Sequence, residues 1–500
     1  MQKTIGLIAL NQNEACGLRY LASYLKKNTD VHVCLVYYYD DDENNLELLN
    51  EFIRENNIKL VGVSVFSSLK RLAIKVTDEI KNKHNIPVIW GGPHVNSDPN
   101  DAIAHAEIIG LHDCEIQLKN LVTKYFDGQD ITNTNNFWFK TNNGIIKNPI
   151  QIVENIDEFD FPDWGIEDKY YIKGGKVEAE TESPAQNWYR VFGSRGCPYQ
   201  CSYCANKVIK INSGAPAKYY RVRSVKNIMT EIEAAIKKFP NTREIIFYDE
   251  LFGVNPDWFE EFCREYSTRI KLPFGIQSNP VNMNDEKIKK LKDIGLKHMS
   301  FGLQSASERM RKIYQRPETL AKIQEINQIL HKHKIIHHFD VIVDNPLETK
   351  HDLIDTLNFL LTLKKPFLTK TFDLSHLPQT DLTNKLLAEN YITQDDLEGN
   401  KIHKTLSWRV KDDEIDDQKQ KFIITLIQLT GNVAVHNWLI KRLLWLENTE
   451  LNKLKNQISK FILSEKFYHF NVLVNSATQQ KKSIVTKKIL KHLLLKVKKT

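Results

Sequence analysis

The sequence predicts an α/β chain in three parts: an N-terminal parallel-sheet domain, a central (β/α)6 partial barrel and a helical C-terminal domain. Three observations predict it. Apolar, β-branched runs recur about every 28 residues over the first 125 positions, with helical spacing between them. The alternation lapses and then returns from Tyr189 to about Leu386. The remaining residues keep helical spacing with no strand rhythm.

In chain order, the first runs are TIGLIAL from Thr4, VHVCLVYYY from Val31, KLVGVSVF from Lys59 and IPVIWGG from Ile86. Leu18, Leu21 and Leu25, then Ala73, Val76 and Ile80, mark helices between them. A fifth unit, AEIIG followed by CEIQLKNLVTKYF, closes residues 1–126 as a Rossmann-like domain. Sheets of this kind bind ligands beyond the carboxyl ends of their strands, which here carry Ser64, Ser67, Ser68 and Gly91-Gly92-Pro93-His94. Residues 127–188 read as a hairpin, FWFKTNNGIIKNP, and an acidic, aromatic connector, NIDEFDFPDWGIEDKYY. Residues 189–388 contain about six βα units, from YRVFGS through EIIFYDE, FGIQSN, HMSFGLQS and HHFDVIVDN to TKTFDLSHL. Residues 389–500 form the helical domain and its basic tail, where Trp408, Arg409, Trp438 and Trp445 either line a substrate site or fill the core.

Composition excludes several classes. With 41% hydrophobic and 26% charged residues the chain is not disordered, and 20 glycines and 16 prolines in 500 residues rule out collagen-like or linker architectures. The net charge of +7 is a property of the tail: the last twenty residues hold eight lysines and no acid, and the rest balances to −1. No basic stripe therefore marks the body for nucleic acid. In the tail Ile489, Leu493 and Val497 stand four apart, a pattern suited to weak contact with an anionic membrane surface or acidic partner, or to a terminal helix packed on its own domain. The N-terminus has no signal-peptide pattern and no apolar stretch approaches eighteen residues, so the expected location is cytoplasmic. Seven cysteines there read as thiols or ligands, not a disulfide framework.

Three of them, Cys197, Cys201 and Cys204, fall in the CxxxCxxC of GSRGCPYQCSYCANK, directly after a strand. Zinc would need a fourth ligand, and no histidine lies between His112 and His298 to supply it locally. A dithiol built on Cys201 and Cys204 leaves Cys197 without a role. Three thiolates on one loop suit a 4Fe-4S cluster with one iron open to an outside ligand. Zinc remains the alternative.

The triplet at the end of a first barrel strand resembles the radical S-adenosylmethionine superfamily, over roughly residues 189–386. The resemblance implies that S-adenosylmethionine chelates the open iron, and that its reductive cleavage gives a 5′-deoxyadenosyl radical that abstracts hydrogen from a substrate carbon. Tyr203 matches the position that packs near adenine, or is a core aromatic. Asp249 and Glu250, after Tyr248, match polar groups for the methionine amino group, or cap the next helix. Ser278 and Asn279 resemble groups that reach the ribose. Gln304 in FGLQS stands where the family more often has an acid, which puts an ionic role in doubt but keeps hydrogen bonding. DVIVDNPLET (340–349) resembles a strand and turn near the cofactor, and equally suits turn and cap chemistry at Asn345, Pro346, Glu348 and Thr349.

Before that barrel, a parallel-sheet domain with Ser64 and Ser67 after its third strand and Gly91-Gly92-Pro93-His94 after its fourth is similar to the cobalamin-binding domain of many radical enzymes. Small residues let backbone approach a flat corrin and its nucleotide tail. The family's Asp-x-His-x-x-Gly motif is absent, since the first loop reads NQNEACG, which implies a tail displaced from cobalt and no histidine ligand from that loop. A Rossmann-like domain with another ligand, or none, is the alternative. Cys16, Cys34 and Cys114 raise a rival, the methylthiotransferases with a second cluster, but Cys34 reads as a buried strand residue. His331, His333, His337 and His338 read as solvated, pointing in different directions.

The resemblance implies three cofactors, a 4Fe-4S cluster, S-adenosylmethionine and cobalamin, an electron donor such as flavodoxin or ferredoxin, and a small-molecule or peptide substrate. Its most common implication is C-methylation of an unactivated carbon. Cyclisation or rearrangement without methyl transfer uses the same domains, and a corrinoid-holding protein without turnover is the expectation of another class.

Overall fold

The computed structural model describes residues 3–397, 418–433 and 435–445. Trp408, Arg409, the side chain of Trp445 and the tail 481–500 lie outside the described residues. The chain divides into two compact units. One takes in the chain as far as Ile246 and the stretch from His376; the other runs Phe247–Ser375 and takes in the C-terminal helices. This division falls inside the stretch 189–388.

In the first unit the predicted rhythm is present: β1 (Thr4–Leu10), α1 (Cys16–Asn28), β2 (His32–Tyr38), α2 (Asn45–Glu55), β3 (Leu60–Ser64), α3 (Lys70–His84), β4 (Val88–Gly91), α4 (Pro93–Ser97), α5 (Pro99–His105), β5 (Ile108–Gly110) and α6 (Glu115–Phe126). The five strands are parallel in the order β5-β4-β3-β1-β2. Both faces are apolar, as a sheet covered by helices on both sides requires. Ile5, Leu7, Leu60 and Ile89 pack with Leu18, Leu25, Leu118 and Leu121 of α1 and α6, while Ile8, Val61 and Trp90 pack with Phe52, Ala73 and Val76 of α2 and α3.

The expected hairpin is β6 (Phe137–Thr141) against β7 (Gly144–Lys147), and β6 adds antiparallel to β5. The connector holds a second hairpin that the sequence reading passed over, β8 (Lys169–Lys173) with β9 (Lys176–Ala179). Its turn, Gly174-Gly175, has φ of 58° and 73°, the positive pair that a tight hairpin turn needs. β8 runs parallel to β2, so the sheet has nine strands.

Then come β10 (Trp188–Val191), β11 (Ser194–Arg195), α7 (Ala205–Asn212), β12 (Arg221–Val222), α8 (Val225–Lys238) and β13 (Glu244–Phe247). Also in this unit are α14 (Asp381–Ala388) and α15 (Gln394–Leu397). The second unit carries α9 (Pro256–Arg269), β14 (Phe274–Ser278), α10 (Asp285–Asp293), β15 (Leu296–Gln304), α11 (Glu308–Tyr314), α12 (Leu320–Lys332), β16 (Ile336–Val343), α13 (Lys350–Thr362), β17 (Leu368–Asp373), α16 (Gln418–Leu429) and α17 (Asn437–Trp445). Strands β14 to β17 pair in parallel in that order. Strand–helix alternation from Trp188 to Asp373 thus runs as the sequence predicts. No helix among the described residues is long and apolar enough to cross a membrane.

Candidate cofactor site

The cysteine loop follows β11, which pairs antiparallel with β12. Gly196 makes the turn into the loop at φ +84°, and a Cβ there would stand 2.6 Å from the Tyr219 carbonyl oxygen. Cys201, buried, accepts the Cys204 N–H on its carbonyl at 3.1 Å, and α7 begins at the residue after Cys204. The Asn206 amide donates to Cys204 Sγ at 3.7 Å. Tyr203 is half-buried in the turn between the last two cysteines. From α14, the Leu382 N–H donates to the Ser202 carbonyl at 3.0 Å, and Asp381 pairs with Lys207 at 2.5 Å.

None of the seven cysteines is in a disulfide. Among the described residues no three His, Cys, Asp or Glu side chains already converge as a metal site. The loop therefore offers a donor set, three thiols on one turn, that a cluster would draw together as it binds. That chemistry fits an iron–sulfur cluster.

In the same unit, on the α1 and α6 side of the nine-stranded sheet, is a cavity of about 270 Å³. Leu7, Leu18, Leu21, Ile89, Leu118 and Phe137 make it apolar, and Ser64, Gly91, Gly92, Asn96 and His112 stand on its wall. Gly92 is required: its φ is +97°, and a Cβ would meet Val65 N at 3.0 Å and Ser64 Oγ at 3.1 Å. A cradle this close to backbone fits the small-residue reading of Ser64, Gly91 and Gly92. Ser67, Pro93 and His94 lie off the cavity wall. His94 is buried and spends both ring nitrogens inside the protein, on Ser67 Oγ at 3.1 Å and Asp101 Oδ2 at 2.9 Å.

The loop and the cavity are joined by ions that sequence reasoning missed. Arg195, two residues before Cys197, donates to Asp113 Oδ1 and Glu115 Oε1, each at 2.6 Å, and lies over the Phe159 ring at 4.4 Å. Arg221 donates to Asp113 Oδ2 at 2.5 Å and to the Val153 carbonyl at 2.9 Å. Burial favours the neutral form of Asp113, but Arg195, His112 and Arg221 outweigh it and hold the carboxyl well below its ordinary range. Burial likewise opposes the charge on Arg195, and Glu115 and Asp113 reverse that, so its pKa is raised. A second tie comes from α7, where the Asn212 amide donates to the carbonyls of Asn96 and Ser97 at 2.9 and 3.1 Å. The only sequence signal for these ties is arginines beside the cysteine loop and acids at a strand end.

The early cysteines do not gather. Cys34 packs in the core on the α2 and α3 face, while Cys16 and Cys114 line the cavity on the other. Burial pushes the Cys16 thiol up to about 11, and burial with Glu115 and Asp113 raises Cys114 well above the ordinary range, so both stay protonated.

In the second unit Ser278 is buried and its hydroxyl donates to the Phe252 carbonyl at 3.2 Å. Asn279 is buried too, donating to Glu318 Oε2 at 3.0 Å and accepting the Val281 N–H at 2.9 Å. Gln304 sits at a register shift between β15 and β16 with φ +62°. Of the pair after β13, Asp249 is buried and Glu250 exposed. Asn345 bonds Tyr314 and caps its own turn, and Thr349 with Asp352 forms a capping box, so this stretch takes the turn-and-cap option. The solvated reading of the histidine cluster is corrected: His337 is 1% exposed and bonds Asn327 at 3.0 Å, because β16 turns it into the core. His338, on the other face, accepts from Lys370 Nζ at 3.0 Å.

Comparison with known proteins agrees with this geometry. The B12 binding domain model matches residues 4–116 and the Radical SAM superfamily model matches residues 191–360. An uncharacterized methyltransferase, PH0819, of Pyrococcus horikoshii is 25% identical over 411 residues, 79% of this chain and 80% of that protein. The radical S-adenosylmethionine methyltransferase TsrM of Kitasatospora setae, solved with tryptophan and an S-adenosylmethionine analogue, superposes with a TM-score of 0.61 at 14% identity over 77% of this chain and 76% of that one. The cobalamin-dependent S-adenosylmethionine radical enzyme OxsB, solved with aqua-cobalamin and S-adenosylmethionine, gives 0.59 at 15% identity over 99% and 80%. Two domain models in this order, on the sheet with the cavity and on the stretch with the three thiols, make the chain similar to the cobalamin-binding radical S-adenosylmethionine proteins.

Proposed function

We propose that this protein is a cobalamin-dependent radical S-adenosylmethionine methyltransferase acting on an unactivated carbon of a small-molecule or peptide substrate. The observation that carries the reading is that the three-thiol loop and the glycine-cradled cavity belong to one compact unit, pinned together through Arg195, Asp113 and Glu115. A chemistry that needs two cofactors at one carbon needs their protein supports held rigidly. The names of PH0819 and TsrM, both methyltransferases, support the same reaction class.

When bound, the cluster and S-adenosylmethionine supply hydrogen-atom abstraction, and cobalamin supplies methyl transfer. Cys197, Cys201 and Cys204 would hold the cluster, with the Asn206 amide donating to the sulfur of Cys204. For S-adenosylmethionine, the expectation rests on Tyr203, Asp249, Glu250 and Gln304, with Ser278 and Asn279, whose polar atoms bond inside the protein. Ser64, Gly91 and Gly92 would let the cobalamin tail approach backbone, and the apolar wall would exclude water from it. The cavity is too small for a corrin with its amide arms but suits the narrow nucleotide tail. A one-electron donor of the flavodoxin or ferredoxin kind completes the system.

A second reading, cyclisation or rearrangement without methyl transfer, draws on the second unit. There Lys370, His338 and Asp340 share one sheet face, a proton-transferring set that methylation of an unactivated carbon does not use.

Anaerobic reconstitution followed by S-adenosylmethionine and reductant tests the enzyme reading. Formation of 5′-deoxyadenosine is expected, together with its loss in Cys197→Ala/Cys201→Ala/Cys204→Ala; turnover unchanged by that triple replacement would sink it. Labelled methyl from S-adenosylmethionine should appear on the bound corrinoid. Radical cleavage without that label favours the second reading.

A further inference from the structure

His112 stands on the cavity wall, two residues after β5, and is unusual in three respects. Its φ is +65°, a left-handed conformation that a residue with a side chain seldom takes, kept by its N–H donating to Asn96 Oδ1 at 2.6 Å. Its side chain is only 5% exposed, with Nδ1 3.5 Å from Asp113 Oδ2. Its Nε2 is buried with no hydrogen-bond partner, a condition that only the Tyr20 hydroxyl shares among the described residues of this cavity wall. Buried polar atoms in folded proteins are almost always paired, so an orphaned ring nitrogen beside a cavity calls for a ligand atom.

The neighbours fix which nitrogen is left over. The Asp113 carboxylate, clamped by Arg195 and Arg221, keeps the Nδ1 proton on its own side. Asn96 is committed as well, since its amide donates to the Gly92 carbonyl at 3.1 Å while its oxygen holds His112. The remaining wall is mostly apolar, and of its two orphaned atoms the imidazole nitrogen is the one with a clamped carboxylate behind its ring, so the imidazole is the group best placed to read a polar atom on an aromatic ligand. Resting on the reading that cobalamin binds with its tail in this cavity, we propose that His112 selects the lower base of the corrinoid, its Nε2 and a ring nitrogen of a benzimidazole-type base sharing one proton that the pair takes up from water on binding. Asp113 is the positioning residue behind it.

Two truncations, one in the protein and one in the ligand, test this without turnover. Equilibrium titration of the full chain by absorbance would compare cobalamin, cobinamide (which lacks the nucleotide tail) and a cobamide whose base is a phenol without ring nitrogen. The wild-type protein should prefer cobalamin to both. His112→Phe, which keeps a ring against Tyr219, should lose about tenfold in affinity for cobalamin and nothing for cobinamide or the phenolic cobamide. His112→Gln, whose amide reaches toward the Nε2 position, should recover part of the loss. The wild-type preference over the phenolic cobamide needs no variant, so it stands even if a replacement misfolds by circular dichroism.

Equal loss for cobalamin and cobinamide, or no loss for either, overturns the role of His112. So does nitrogen superhyperfine splitting from the protein in the electron paramagnetic resonance spectrum of the cobalt(II) form, which would put the imidazole on the metal. A wild-type protein that binds cobinamide as well as cobalamin instead overturns the placement of the tail, and one that binds no corrinoid overturns the cobalamin reading itself.

Discussion

The two sheets of this protein place their polar groups differently. The five parallel strands of the first unit are apolar on both faces, and the polar residues collect beyond the strands, in the glycine turn after β4 and at His112, Asp113 and Glu115 after β5. In the second unit, β14 to β17 are apolar on one face only, where Ile276, Met299, Phe301, Phe339 and Val341 are at most 3% exposed. The other face carries Gln277, His298, Ser300, His338, Asp340 and Lys370, in register across the four strands. Those of them that are buried oppose stability unless they are hydrogen-bonded or paired. The first sheet thus keeps its chemistry at its edge, whereas the second carries it along one face.

The largest effect should come from breaking the edge of the first sheet. Arg195→Met leaves Glu115 and Asp113 buried with one guanidinium fewer, and loss of one partner from a buried pair costs about 3 kcal/mol or more. Chemical denaturation should register that drop, and reconstituted iron content should fall with it, because the cysteine loop starts two residues later. A destabilisation below about 1 kcal/mol would mean that the ion cluster only decorates the edge.

Next in size is a pH effect confined to the second sheet. Burial pushes Asp340 up to about 6, with Lys370 opposing, and burial pulls Lys370 down to about 8, with Asp340 opposing. A carboxyl with a raised folded pKa supports the fold fully below its unfolded value of about 3.9, and that support is lost as pH rises through 6. A lysine with a lowered pKa supports the fold above about 10.4, and that support is lost as pH falls through 8. Together they make the second unit least stable between about pH 6 and 8. Asp113 has the opposite sign: its contribution is present above the ordinary carboxylate range and disappears only in acid. Amide protection in β16 and β17, taken relative to the intrinsic exchange rate at each pH, should therefore rise on either side of neutrality, Asp340→Asn should remove the acid limb and Lys370→Met the alkaline limb. A flat profile in the wild-type protein would erase the contrast between the sheets.

Smaller again is Gly92→Ala, which puts a Cβ against Val65 N and Ser64 Oγ at a positive φ. The expected cost is about 1–2 kcal/mol, with weaker cobalamin binding measured by absorbance titration. Retained affinity at reduced stability would show that the turn serves the sheet and not the ligand.

Much of this was legible because it is local. The β1–β5 rhythm, the hairpin at Asn142-Asn143, the cysteine spacing and the Gly91-Gly92 turn each lie within a few residues, where periodicity and turn chemistry act. The bonds of Arg195 span about 80 residues of sequence, and nothing periodic announces them. His94 was legible as part of a turn, but whether its nitrogens face a ligand depends on Ser67 and Asp101, which only the fold brings near. The histidine cluster misled for the related reason that strand alternation sends His337 to the core and His338 to the polar face. The β8–β9 hairpin is a different case, since Gly174-Gly175 between KYYIK and KVEA is a turn signal.

That hairpin offers the smallest and cleanest test, because it extends the first sheet away from the cavity. At Gly174, with φ +58°, a Cβ would meet nothing within 4 Å, so the only objection to a side chain is the left-handed backbone. Asn tolerates that conformation and Ala does not. Gly174→Asn should leave stability within about 0.5 kcal/mol of wild type, and Gly174→Ala should lower it by about 1 kcal/mol. Neither should alter cobalamin affinity, since the residue is absent from the cavity wall. If Gly174→Ala weakened corrinoid binding along with stability, the separation between the apolar body of the sheet and its chemical edge would fail, and the loss expected in Gly92→Ala could no longer be credited to the cradle.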